Sequence, residues 1–259
     1  MSSGNWIQVT AFTHHGRIRA ANEDAIVVGK WLRSTPMQMP EQWRYNLGDP
    51  LICAVADGMG GHSAGEVASR YTVCRLSEQS HQIKDKNAAI SVLKGINLEL
   101  YDAMTNDPAS QGMGTTVVGV MLIERELLWF NIGDSRLYRH RNGFLRQISV
   151  DDVLDAPRDQ NQSNRRESHA ITQSLGGSFS FRGIVPHAGC FDLPMPSRWL
   201  LCSDGLTDMI DIDALEACMA AADLEATQKL FELAMAAGGE DNISIMVLSV
   251  GAGAAHPPG

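Results

Sequence analysis

Leu51-Ile52-Cys53-Ala54-Val55-Ala56-Asp57-Gly58-Met59-Gly60-Gly61-His62 sets an unbroken apolar run directly against an acid and a string of glycines. The run predicts a β-strand. Asp57 then stands at the mouth of that strand, and Gly58 lets backbone approach a ligand closely. The arrangement recurs. Asp204 follows Trp199–Cys202 and precedes Gly205; Asp241 immediately precedes Asn242–Val250; Glu23-Asp24 precedes Ala25–Val28. Carboxylate oxygens are hard ligands that suit magnesium or manganese rather than zinc. Two such cations a few ångströms apart can lower the pKa of a water and clamp the oxygens of a phosphoryl group. A single Asp-Gly is most often a turn. Four strand-end acid sites in one chain carry more weight, although spacing alone leaves open whether they converge.

Outward from these sites, Trp6–Phe12, Thr115–Ile123, Glu126–Ile132 and Ser135–Arg139 also read as strands. Gly133-Asp134 interrupts the last two as a bend or a turn. Arg141-Asn142-Gly143 leads into Phe144–Ile148, and Asn-Gly is a hairpin signal. Connections this short imply antiparallel pairing. Helices are predicted over Ala64–Ser80, with Ser63 and Glu66 spaced as a capping box and Val67, Tyr71 and Cys74 on one face. Lys86–Met104 follows, with Ile90, Leu93, Ile96, Leu100 and Met104 at helical spacing. Ala214–Ala221, capped by Asp213 with Glu216, and Leu224–Ala237, stopped by Gly238-Gly239, complete the set. Clustered strands with grouped helices give an α+β layered fold. Three stretches read as irregular: a surface excursion over Lys30–Pro50, a polar loop over Asp151–Ser168, and a disordered tail over Gly251–Gly259.

Composition fits one domain over residues 1–250: the chain has 259 residues, 44% hydrophobic and 20% charged, with no linker-like stretch. A net charge of −9 argues against a nucleic-acid partner. The five cysteines, without a C-x-x-C pair, argue for a reducing compartment and against a disulfide framework. The N-terminal stretch has no apolar signal core and no run is long enough for a membrane span, so a cytoplasmic protein is expected.

Six strings, in order along nearly the whole chain, resemble the motifs of the PP2C-type (PPM) metal-dependent protein phosphatases, and the bacterial branch most. They are GRIRAANED (Gly16–Asp24), VADGMGGHSAGEVAS (Val55–Ser69), GMGTT (Gly112–Thr116), NIGDSRLYR (Asn131–Arg139), CSDGLTD (Cys202–Asp208) and GGEDNISIMVL (Gly238–Leu248). The resemblance implies a four-layer αββα sandwich of two stacked antiparallel sheets flanked by helices. It implies hydrolysis of phosphoserine and phosphothreonine in proteins by a metal-activated water, counteracting a bacterial Ser/Thr kinase, with no phosphoenzyme. The cofactors would be two Mn2+ or Mg2+ ions. Asp57 would bridge them, Asp204 and Asp241 would complete the first site, and Glu23 with the carbonyl of Gly58 would serve the second. Asp24 would orient bound waters, and Arg19, rather than Arg17, would grip the substrate phosphate. Apart from the resemblance, Asp134 and Arg136 read as structural, pairing internally, and Gly114, Thr115 and Thr116 read as packing residues that shape the site.

Three places depart from the family pattern. Met59 stands where many eukaryotic members carry a histidine proposed as the general acid. His62 reads as a helix-entry residue, so no acid for the leaving group is assigned. Asp208 matches one ligand of a third metal found in some bacterial members, but Ser110-Gln111 occupies the region of its partner acid and Asp107 is the nearest aspartate. The flap over Asp151–Ser168 is short, which implies an open groove suited to a folded phosphoprotein loop. Compact bacterial phosphatases of this kind also resemble those paired with kinases of type VI secretion, where a phosphorylated forkhead-associated protein is a substrate. A monomer is expected. Two other functions stay in view. A silent phosphoprotein-binding module would have lost metal acids, whereas Glu23, Asp24, Asp57, Asp204 and Asp241 are all present. A phosphatase of small molecules is set aside only by the resemblance.

Overall fold

The structure is a computed structural model that describes residues 5–60, 64–154 and 170–252. The first half of the chain forms β1 (Trp6–His14), β2 (Ala25–Val28), β3 (Trp31–Arg33), β4 (Glu41–Asn46), β5 (Leu51–Ala56), β6 (Gly58–Met59), α1 (Ala64–Gln79) and α2 (Lys86–Asn106). There follow β7 (Gly114–Thr115), β8 (Val117–Ile123), β9 (Glu126–Ile132), β10 (Arg136–Arg141), β11 (Phe144–Gln147), β12 (Leu175–Gly176), β13 (His187–Asp192) and β14 (Ser197–Cys202). The chain closes with α3 (Asp204–Thr207), α4 (Ile212–Met219), α5 (Asp223–Ala236) and β15 (Ile243–Gly251).

Two six-stranded antiparallel sheets result, in the orders β11-β10-β14-β15-β1-β4 and β13-β9-β8-β5-β2-β3. A small third sheet, β12-β7-β6, lies beside them. The apolar runs are unbroken because both faces of each central strand are covered. Along β14, Trp199 and Leu201 point into the core between the sheets, while Leu200 and Cys202 point toward α4 and α5. Along β5, Leu51, Cys53 and Val55 face the other sheet, and Ile52, Ala54 and Ala56 face α1 and α2. The layers are therefore helix, sheet, sheet, helix, as the family resemblance implies. Burial of each large side chain of this core, such as Trp199, Phe12 and Phe130, contributes about 1.5–3 kcal/mol.

Several local expectations change. The stretch 30–50 is not a mere excursion: it supplies β3 and β4, which extend the two sheets by one edge strand each. Strand β13 was not foreseen. In α1 the buried side is a stripe of small residues including Ala68, Ser69 and Thr72, and Val67 is exposed, because the helix packs close to β6 and β7. Helix α4 is capped by Asp211, whose side chain accepts from Ala214 N at 2.9 Å. Glu216 instead accepts from Leu145 N at 2.7 Å, so the expected box with Asp213 does not form. Gly251, expected to open the tail, instead closes β15 opposite Trp6; the expected cap at Ser63, the helix-entry role of His62, the flap beyond residue 154 and the tail beyond residue 252 lie outside the described residues.

Candidate active site

Strand register brings the acids together. Ala25 pairs with Ala56, so Asp24 and Asp57, one step further along each strand, come side by side. Cys202 pairs with Ile245, which brings Ser203-Asp204 level with the start of β15 just after Asp241. His14 pairs with Ile243, so the loop carrying Arg19 and Glu23 leaves β1 at the same end. The four strand-end acid sites thus meet at one end of the sandwich, two from each sheet.

Asn242 stitches the two sheets at this end, a role its sequence neighbourhood did not suggest. Its Oδ1 accepts from Glu23 N at 2.7 Å, and its Nδ2 donates to Ala21 O at 3.0 Å and His15 O at 3.1 Å. Its own amide donates to Asp241 Oδ1 at 2.8 Å. Asp24 is fully buried, and its Oδ2 accepts from Ser244 Oγ at 2.6 Å and Ser203 Oγ at 2.8 Å. Asp57 is fixed by the end of β7 and the residue after it: Thr115 Oγ1 donates to its carbonyl at 2.7 Å, and Thr116 N does so at 2.9 Å. Two glycines make room. A Cβ on Gly58 would sit 2.3 Å from Gly65 O and 2.4 Å from Glu23 O. One on Gly205 would sit 2.0 Å from Asn242 O. Packing this close admits no side chain without backbone movement.

The acids destabilise one another's charge. Burial, the largest cause, pushes the Asp24 carboxyl up to about 7; Asp204 and Asp241 add to the rise, and the Ser244 and Ser203 hydroxyls oppose it. Burial likewise raises Asp57 well above the usual carboxylate range, helped by the charges of Asp24 and Asp204 and by donation of its proton to Asp204. Asp204 rises to about 6, first by burial and then through Asp241 and Asp208. Glu23 is raised by burial while Arg19 pulls it down.

Among the described residues, no three His, Cys, Asp or Glu side chains already form a compact ligand set for a cation. Divalent metals nevertheless fit these residues. Asp24 Oδ1 and Asp204 Oδ1 are buried without a hydrogen-bond partner. The donors are all hard oxygens, and cations would turn their mutual repulsion into attraction.

Arg19 Nη2 lies 2.6 Å from Asp241 Oδ2, so this arginine reaches the acid cluster, while the Arg17 backbone amide donates to Gly239 O at 2.7 Å. Arg136 pairs with Asp151 at 2.8 Å and not with Asp134. Asp134 faces the cluster instead: burial and the charges of Asp204, Asp151 and Asp208 push it up to about 7, and its buried Oδ1 has no hydrogen-bond partner. It stands at the turn between β9 and β10, and the bend read at Gly133-Asp134 was the available signal. Asp208 is exposed on the turn ending α3, within electrostatic reach of Asp134 and Asp204. Asp107 caps a local turn, accepting from Ala109 N at 3.0 Å and Ser110 Oγ at 3.1 Å.

A family model described as protein phosphatase 2C matches residues 38–222. The serine/threonine protein phosphatase PstP of Mycobacterium tuberculosis is 32% identical over 94% of this chain, and the match covers 45% of that protein. The chain therefore spans less than half the length of that relative. The serine/threonine phosphatase stp of Listeria monocytogenes is 29% identical, over 91% of this chain and 93% of its own. Among solved structures, the M. tuberculosis phosphatase superposes with a TM-score of 0.77 at 27% identity, covering 95% of this chain and 99% of that one. The catalytic domain of PstP in complex with two manganese ions superposes with a TM-score of 0.75 at 28% identity, with coverage of 95% and 99%. No helix among the described residues is long and apolar enough to cross a membrane.

Proposed function

The chain belongs to the protein phosphatase 2C family, and on that premise we propose that it hydrolyses phosphoserine and phosphothreonine in proteins phosphorylated by a bacterial Ser/Thr kinase. One observation carries the reading: acids from both sheets converge at one end, with an arginine among them and buried carboxylate oxygens left without partners. A binding module without catalysis would have no use for so costly a cluster.

Two Mg2+ or Mn2+ ions, when bound, would supply a water nucleophile at neutral pH and neutralise charge on the phosphoryl oxygens. Asp57 would contact both ions, Asp204 and Asp241 would hold one, and Glu23 and the Gly58 carbonyl the other. Asp24 is too buried to meet substrate; locked by Ser203 and Ser244, it would keep its free Oδ1 aimed at the ligand sphere, as supporting carboxylates do elsewhere. Arg19 is half-exposed, and its fork can leave Asp241 to hold two phosphoryl oxygens. The Arg19–Asp241 pair is solvent-exposed, so exchanging the carboxylate for a phosphoryl group costs little. The bridging of Glu23, Ala21 and His15 by Asn242 keeps the arginine loop in register with Asp241.

Phosphothreonine and phosphotyrosine peptides, assayed with manganese or magnesium, test this. Hydrolysis of phosphothreonine that stops with chelator and in Asp57→Ala is expected. Activity that survives chelation, or a preference for phosphotyrosine, refutes the reading.

A further inference from the structure

At the end of the first sheet opposite the acids lies an open cavity of about 660 Å³. The two ends are about 30 Å apart, the length of a nine-residue strand such as β15. The cavity is lined by Arg139, His140, Arg141 and Arg198, and no Asp or Glu is among its lining residues. That is unexpected in a chain of net charge −9. Arg198 is neutralised by Asp223 at 2.7 Å. Among the described residues no carboxylate pairs with Arg139 or Arg141. The Arg139 guanidinium lies over the ring of buried Trp199, 5.4 Å from its centroid, which fixes a cation at the cavity wall.

We infer that this cavity binds a small phosphate monoester of nucleotide size, such as a nucleoside monophosphate. Two uncompensated guanidinium groups match the double charge of a phosphate monoester and can each offer paired donors to it. Trp6, Pro194, Met195 and Pro196 add apolar surface for a heterocycle, and Asn142, Ser197 and Ser249 add polar groups beside it. The volume lies within the range of small-molecule sites. A peptide is the poorer occupant. Strands β1, β10, β14 and β15, which line the cavity, are hydrogen-bonded to neighbours on both sides, so none can accept a further strand. The inference does not depend on the phosphatase reading.

Isothermal titration of the whole chain, in chelator, with AMP, adenosine, inorganic phosphate and a phosphothreonine peptide tests it. AMP is expected to saturate one site per chain, and adenosine to bind far more weakly. Arg139→Ala and Arg141→Ala are each expected to weaken AMP about tenfold, the loss of one charge-assisted hydrogen-bond pair, while Arg19→Ala leaves AMP affinity unchanged. Arg141 is exposed at the hairpin end, so Arg141→Ala alone decides the matter if Arg139→Ala does not fold. The inference falls if AMP does not saturate the wild type, or if the peptide binds here and AMP does not. It falls equally if Arg19→Ala abolishes AMP binding while the Arg139 and Arg141 variants keep it.

Discussion

Strands β14 and β15 pass from one physical regime to another within a few residues. In their middle, Trp199, Leu201, Met246 and Leu248 fill the space between the sheets and are fully buried. At their acid end, Asp204 and Asp241 are crowded by other carboxyls and Asp204 keeps a buried oxygen without a partner. The middle lowers the energy of the fold, and the end raises it. If the acid end binds cations as proposed, it is expected to be poorly satisfied without them, and the rigid middle is what holds it so. Stability and activity should therefore separate along a single strand.

The sharpest separation pairs Asp57→Ala with Trp199→Ala. The first should lower turnover at least about a thousandfold, the scale of several kcal/mol of lost charge stabilisation. The same change should leave the metal-free protein melting at or above the wild-type temperature, since one repelling carboxyl is gone. Trp199→Ala should cost about 3–5 kcal/mol of stability, with turnover per folded molecule little changed. Turnover assays and thermal melts on both variants check this; an Asp57→Ala protein that melts far below wild type would make that carboxyl a structural element.

A change of pH probes the same contrast without mutation. The folded-state carboxyls of Asp24 and Asp204 lie near 7 and 6, above the ordinary aspartate value of 3.8 that the unfolded chain shows. Between those values the folded chain holds protons that the unfolded chain has released. Stability of the chelated protein should thus fall as pH rises from about 4 to 7, by on the order of a few kcal/mol. Denaturant titrations across that range, with and without manganese, measure it. Manganese should flatten the slope, and a slope of the opposite sign would mean that the acids are not mutually repelling.

How much of this was legible depended on where the signal lay. Acids at the ends of apolar runs could be read directly, because hydrophobic burial fixes where a strand ends and the next residue has nowhere else to stand. Edge strands could not. No residue of Glu41–Asn46 or His187–Asp192 is buried and both stretches carry charge, so their strand character comes from pairing with β1 and β9. Asp211 and Asp213 offer the same capping chemistry two residues apart; Glu216 settles the choice through Leu145, 71 residues away. Asn242 was hidden for the same reason, since its partner Glu23 lies 219 residues away.

Asn242→Ala should weaken both regions at once. It leaves two carbonyls and one amide of the Arg19 loop without their partner, which costs about 2–4 kcal/mol. Turnover should fall about tenfold, because Glu23 and Arg19 lose their registration. Chemical denaturation and steady-state rates check the two effects, and a stability loss with unchanged kcat would confine Asn242 to the fold.

The smallest effect is expected from Arg19→Lys. The pair with Asp241 is exposed, at 52% and 35% of the side chains, so its removal should change stability by less than about 1 kcal/mol. A lysine keeps the charge but loses the planar fork, and cannot hold two phosphoryl oxygens at once. KM for a phosphothreonine peptide should rise about tenfold, the value of one charge-assisted hydrogen bond, while kcat at saturation changes less. Arg17→Lys, one turn of loop away and tied by its backbone to Gly239, should change neither constant. If the two lysine variants behave alike, the arginine at Asp241 is a surface ion pair, and the acid end would have to recognise phosphate through its cations alone.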